Sequence, residues 1–136
     1  MTTFPAHVNF LAILAAAVIN FILGWLWFGP VFGKAWVKLG GGELKPGPLN
    51  IIVGFITSLI IASVLDLAVI VAFRALQDAR IGIGLAAGFA GWFGFIAPVT
   101  VGPVIYERKS LKLWLMNNAY WLVSLLIMGA ILAAWR

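Results

Sequence analysis

Hydrophobic residues run almost unbroken through four stretches of this chain, His7–Phe28, Leu49–Phe73, Ile81–Ile105 and Leu113–Trp135. Polar residues collect in the three turns between them. At a rise of about 1.5 Å per residue, each stretch as an α-helix crosses a hydrocarbon core of about 30 Å. Deep inside the stretches only Asp66 places an ionisable side chain. The pattern predicts an all-α, polytopic membrane protein, a four-transmembrane-helix bundle. Too few residues remain for a second domain, so 1–136 reads as a single integral membrane domain.

Punctuation within the pattern refines this. The first helix is expected to end at Gly29-Pro30, because the residue before a proline is pushed out of the α region. Val31–Leu39 then predicts a short interfacial amphipathic helix, with Phe32, Ala35, Trp36 and Leu39 on one face and Lys34 and Lys38 on the other, stopped by Gly40-Gly41-Gly42. The third stretch is irregular: Gly82, Gly84, Gly88, Gly91 and Gly94 precede Pro98, and Gly102-Pro103 closes it. Gly84 and Gly88 form a GxxxG pair, which admits a neighbouring backbone at short range. Pro98 predicts a kink or an early end, leaving Val99–Ile105 as a bent or non-helical exit. Gly-Pro-Val closes both odd-numbered helices and Gly-Trp recurs in both, a short hint of two related helical hairpins.

Composition narrows the chemistry. The chain is 64% hydrophobic and 10% charged, whereas a soluble domain carries about 25% charged residues. Cysteine is absent, which excludes disulfides and thiolate sites. Four acids (Glu43, Asp66, Asp78, Glu107) and one histidine (His7) supply few groups for a catalytic or metal constellation, so the expectation is a non-enzymatic protein with no metal and no cofactor. The net charge of +5 is spread over short turns rather than gathered on one face, which argues against nucleic acid. A positive-inside bias accounts for it: Lys34, Lys38 and Lys45 lie in the first turn and Arg108, Lys109 and Lys112 in the third, against Arg74, Arg80 and Arg136 on the other side. That places the first and third turns in the cytoplasm and both termini outside. The first stretch is too long, and lacks the basic start, for a cleavable signal peptide.

Axial position sorts the polar residues of the stretches into two layers. Asn20, Thr57, Ser58, Thr100, Asn117, Asn118, Tyr120 and Ser124 fall in the cytoplasmic half, and Asn20, Thr57, Asn117 and Tyr120 form the candidate polar layer. On the last helix Trp114, Asn117, Trp121, Ser124 and Met128 share one stripe. Near the outer face His7, Asn9 and Asp66 form a candidate charged cluster. A membrane-embedded carboxylate needs a partner, and His7 or Asn9 come first, Arg74 or Arg136 next. Trp25, Trp27, Trp36 and Trp114 suit the cytoplasmic boundary and Trp135 the outer one. Trp92 and Trp121 are too deep for a belt and are expected to pack on the glycine row of the third helix.

The polar layer reads in two ways. It could bind or pass a small solute, a lipid or a proton. Alternatively, it is a set of interhelical hydrogen bonds in a structural or accessory subunit of a larger membrane complex, with no path. The partners implied are the lipid bilayer and either a second copy, through Gly84, Gly88 and Gly91, or another membrane subunit.

Three segments carry a family resemblance: Val8-Asn9-Phe10 with Gly24–Trp36; Gly94-Phe95-Ile96-Ala97-Pro98 with Tyr106-Glu107-Arg108-Lys109; and Asn117-Asn118-Ala119-Tyr120-Trp121 with Met128-Gly129-Ala130-Ile131. Together they resemble the uncharacterised bacterial membrane family called domain of unknown function 1761. The resemblance implies a four-helix integral domain of the bacterial cytoplasmic membrane and no established activity. The family often has tyrosine where this chain has Phe28, and phenylalanine where it has Tyr106. Asp66 lies outside the three segments.

Overall fold

The structure, a computed structural model, describes residues 8–40, 47–77 and 80–135. Four helices in it are long and apolar enough to cross a membrane: Phe10–Val31, Pro48–Leu76, Ile81–Tyr106 and Leu111–Ala134. The first span is α1 (Phe10–Leu26) continued by a π turn (Trp27–Val31), and α2 (Gly33–Lys38) follows it. The second span is α3 (Pro48–Leu76). The third comprises α4 (Ile81–Gly91), a π turn (Trp92–Ile96), α5 (Ala97–Thr100) and α6 (Gly102–Tyr106), and the fourth is α7 (Leu111–Ala134).

Local chemistry sets the ends. Asn9 caps α1, its side chain accepting from the Ala12 N–H at 3.1 Å. Ser110 caps α7 through the Leu113 N–H at 3.2 Å. Pro48 opens α3 in the first turn, where a missing N–H costs nothing. Gln77 stops α3 with a left-handed backbone, φ 51°.

The prolines act differently from the sequence expectation. The first span does not stop at Gly29-Pro30 but carries Pro30 inside its π turn. A proline ring collides with the carbonyl four residues back, and a wider turn relieves that contact without ending the helix. The third span does the same, taking a π turn just before Pro98 and remaining helical to Tyr106. Its exit is helical apart from the single turn residue Val101. Both wide turns begin Trp-Phe-Gly, at Trp27 and at Trp92.

The fourth span packs along the third, and the first along the second; α7 also meets α1 and α3, and α3 meets α4. The second and fourth spans thus face each other across the short diagonal of the bundle. An apolar core occupies the half where α1 begins, built from Ala12, Ala16 and Ala17 of α1, Leu65, Val69 and Phe73 of α3, and Met128 and Leu132 of α7. Asp66 is fully enclosed beside these side chains, 0% exposed, rather than tolerated near water at the rim.

Glycine makes the tightest contact. A methyl group on Gly84 would run into the carbonyl oxygen of Gly129 and come within 2.6 Å of the Ala133 Cβ. One on Gly88 would strike the Leu125 carbonyl. The GxxxG pair is therefore used within the chain, against α7, and is closed to a second copy. Nothing among the described residues lies within 4 Å of such a methyl at Gly91 or Gly94. Trp92 and Trp121 do not cover the glycine row. The Trp92 indole instead donates to the Asn118 carbonyl at 2.9 Å, and the Trp121 ring meets Tyr120 at 4.9 Å.

Helix α2 tucks against the end of the bundle. The Trp36 indole donates to Asn117 Oδ1 at 3.2 Å, and its ring lies 5.2 Å from that of Phe28. Lys34 and Lys38 are exposed, as the amphipathic pattern predicts, but so are Phe32 and Ala35, leaving Gly33, Trp36 and Leu39 as the covered stripe.

Backbone contact at Gly88 leaves no room for a larger residue. Gly88→Val should destabilise the bundle by about 3 kcal/mol, the upper range for overpacking, in reversible unfolding in mixed micelles. Gly91→Ala, in open space, should stay within about 1 kcal/mol of the parent.

Candidate functional site

The polar layer is organised around the carboxamide of Asn20, midway along α1 and 3% exposed. A carboxamide offers two donor hydrogens and an acceptor oxygen with two lone pairs. The Asn20 Nδ2 donates to Ser58 Oγ of α3 at 2.7 Å. Its Oδ1 accepts from the Tyr120 hydroxyl of α7 at 2.6 Å and from the Ser124 hydroxyl one turn further on. Ser58 in turn donates to the Gly54 carbonyl at 3.0 Å. One side chain thereby ties the first, second and fourth spans.

Tyr120 is held in place by rings on three sides, Trp27 at 6.1 Å, Phe28 at 5.1 Å and Trp121 at 4.9 Å. Gly24 makes room for its hydroxyl, since a Cβ there would sit 3.0 Å from the oxygen. The enclosed indole N–H of Trp27 has no hydrogen-bond partner among the described residues, and the structure offers no physical account of it.

Asn20 and Tyr120 take the positions the sequence assigns them; Thr57 and Asn117 do not. Adjacent helical residues point about 100° apart. Ser58, not Thr57, enters the network, and Thr57 is exposed beside it. Asn118, not Asn117, is the buried member of its pair. A second network follows, between the third and fourth spans. The single Thr100 hydroxyl hydrogen has two acceptors within reach, the Ile96 carbonyl at 2.6 Å and Asn118 Oδ1 at 3.2 Å. The Trp114 indole donates to Thr100 Oγ1 at 3.1 Å, and Asn118 Nδ2 donates to the Trp114 carbonyl at 3.0 Å. Ser124 lies on the stripe read from the sequence and is buried with Met128, whereas Asn118 had the right depth but lay off that stripe.

Of the outer cluster, Asn9 and Asp66 lie among the described residues. Asn9 is spent as a cap and on the Trp135 carbonyl, to which its Nδ2 donates at 2.6 Å. It joins the start of the first span to the end of the last. His7 and Arg136 lie outside the described residues, and so does any pairing of Asp66 with them. Among the described residues no three His, Cys, Asp or Glu side chains converge.

Two grooves flank the networks. The larger, about 620 Å³, lies between the first and second spans. Phe21, Ile22, Trp25 and Ile51 form its walls, Asn20, Ser58 and Tyr120 its floor, and Thr57 and Asn50 add polar groups to its lining. The smaller, about 430 Å³, lies between the third and fourth spans, and Trp121 lines both.

A family model described as "Protein of unknown function (DUF1761)" matches residues 11–133. No curated protein and no solved structure matches the chain.

The Asn20 network should contribute through three spans at once. Asn20→Ala removes three side-chain bonds, though Ser58 keeps the Gly54 carbonyl and Tyr120 the Asn20 carbonyl, and should cost about 2 kcal/mol, while Tyr120→Phe should cost about 1 kcal/mol. A double-mutant cycle on the two positions, read by unfolding in mixed micelles, should return a positive coupling. Strictly additive losses would contradict the network.

Proposed function

We propose that this chain, which belongs to the family described as protein of unknown function DUF1761, is a non-enzymatic membrane protein that takes an amphipathic molecule of the lipid class from the bilayer into the groove between its first and second spans. The observation that carries the reading is the character of that groove. It has the size of a small-molecule site, about 620 Å³, with apolar walls and a few polar groups at its base. An alkyl chain suits Phe21, Ile22 and Ile51, and a hydroxyl, amide or ester suits Thr57 and Asn50.

Binding is favoured over passage. The groove ends on Asn20, Ser58 and Tyr120, whose polar atoms already engage one another. A translocated solute or proton would have to displace those bonds. The same mutual satisfaction supports a second reading, a structural or accessory subunit without a ligand.

The basic residues of the first and third turns support an orientation with those turns in the cytoplasm and both termini outside. A reporter fused at Gly41 should then read cytoplasm and one at Gln77 the outside. If the protein self-associates, Gly84 and Gly88 are already occupied within the chain, and the third span still exposes Phe89, Phe93 and Phe95.

Photo-crosslinking tests the binding reading. A diazirine-bearing fatty acid in proteoliposomes should label the segments around Phe21–Trp25 and Ile51–Ser58. Gly54→Leu should lower that labelling about tenfold, the equivalent of about 1.4 kcal/mol, because Gly54 lines the groove and a Cβ there already sits 3.4 Å from the Phe21 ring. Labelling spread evenly over every lipid-facing helix surface, and indifferent to Gly54→Leu, would favour the accessory-subunit reading.

A further inference from the structure

The smaller groove differs from the larger in what its polar groups have left to offer. It lies between the third and fourth spans, beside the turn that joins them, and its lining includes Lys109, Ser110 and Asn117. Asn117 Oδ1 accepts from the Trp36 indole, and both hydrogens of its Nδ2 remain to donate. Ser110 Oγ accepts from the Leu113 N–H, which leaves its hydrogen to donate. The Lys109 ammonium has only donors. No Asp or Glu lines the groove. The free hydrogens and the ammonium make the lining rich in donors and positively charged, the complement of an anionic acceptor.

We propose that this groove is a second binding site, taking the phosphate headgroup of an anionic phospholipid, with Lys109 as its counter-ion and Asn117 and Ser110 as hydrogen-bond donors. Val99, Val104 and Leu113 continue the lining on its apolar side and take the first carbons of the acyl chains. Inorganic phosphate would satisfy the donors but gain nothing from those walls, so the lipid is the occupant. Basic residues at the end of a membrane span suit this chemistry, because anionic lipids concentrate Lys and Arg at the headgroup level. The larger groove has no charged residue in its lining, so the two sites differ in ligand class and this one stands independently of the first.

The experiment uses the full chain in mild detergent, with native mass spectrometry after adding equal amounts of phosphatidylglycerol and phosphatidylcholine. Phosphatidylglycerol should be retained in preference. Lys109→Gln should weaken its retention about fivefold, the effect of losing one basic residue near an anionic headgroup. Arg108→Gln in the same turn and Lys112→Gln at the start of α7, both outside the groove lining, should leave it nearly unchanged. Val104→Trp keeps every charge but fills the apolar wall, and should weaken it as well. Gly54→Leu, in the other groove, should have no effect, whether or not that groove binds a ligand. Equal losses for all three cation substitutions would mean diffuse attraction and overturn the site. So would indifference to Val104→Trp, equal retention of the two lipids, displacement of the lipid by millimolar inorganic phosphate, or loss of the adduct in Gly54→Leu.

Discussion

In a hydrocarbon solvent apolar surface gains little by being covered, so the packing of four apolar helices depends on where their few polar atoms find partners and how closely their backbones approach. The Asn20 carboxamide answers the first requirement for three of the spans. It meets Ser58 on one side and Tyr120 and Ser124 on the other, and so sets the rotation of α1, α3 and α7 about their own axes. Gly84, Gly88 and Gly129 answer the second for the remaining span, bringing α4 against α7 at backbone range. The fourth span takes part in both arrangements, which explains why it and α3 occupy the short diagonal.

The grooves follow from this division of labour. Small residues such as Ala12, Ala16 and Ala62 close the half of the bundle where α1 begins, so little space remains there. In the other half, polar contacts and large rings hold the helices instead, and bulky side chains around Gly24 and Gly54 leave volume between them. Pro30 sits within a wide turn rather than at a helix end, and Pro98 follows one directly before Val99 and Thr100 of the smaller groove.

The sequence disclosed axial position well and rotation poorly. Four spans and the depth of Asn20 and Tyr120 can be read from spacing and residue type; the caps at Asn9 and Ser110 emerge only in the structure. Whether Thr57 or Ser58 turns inward, or Asn117 or Asn118, cannot be. In a soluble helix the apolar stripe marks the buried face; here lipid and core are equally apolar, and the stripe carries no such information. GxxxG announced a close approach at Gly84 and Gly88 but not its partner, because Gly129 belongs to a different span and no local signal links them. The π turns escaped because proline chemistry predicts disruption, and only packing decides whether a helix ends or widens. The recurrence of Trp-Phe-Gly at both wide turns is the legible trace of that shared solution.

The account stands on the larger groove being open to lipid and closed, by the Asn20 network, to water on the far side. The chain has no cysteine, so a single spin label at Thr57→Cys reports on the groove without background. In proteoliposomes, power-saturation measurements should find the label accessible to molecular oxygen, which concentrates in hydrocarbon, and shielded from a water-soluble nickel chelate. Relaxation by the chelate as strong as by oxygen would mean that water fills the groove, and would contradict a lipid-facing site ending on Asn20.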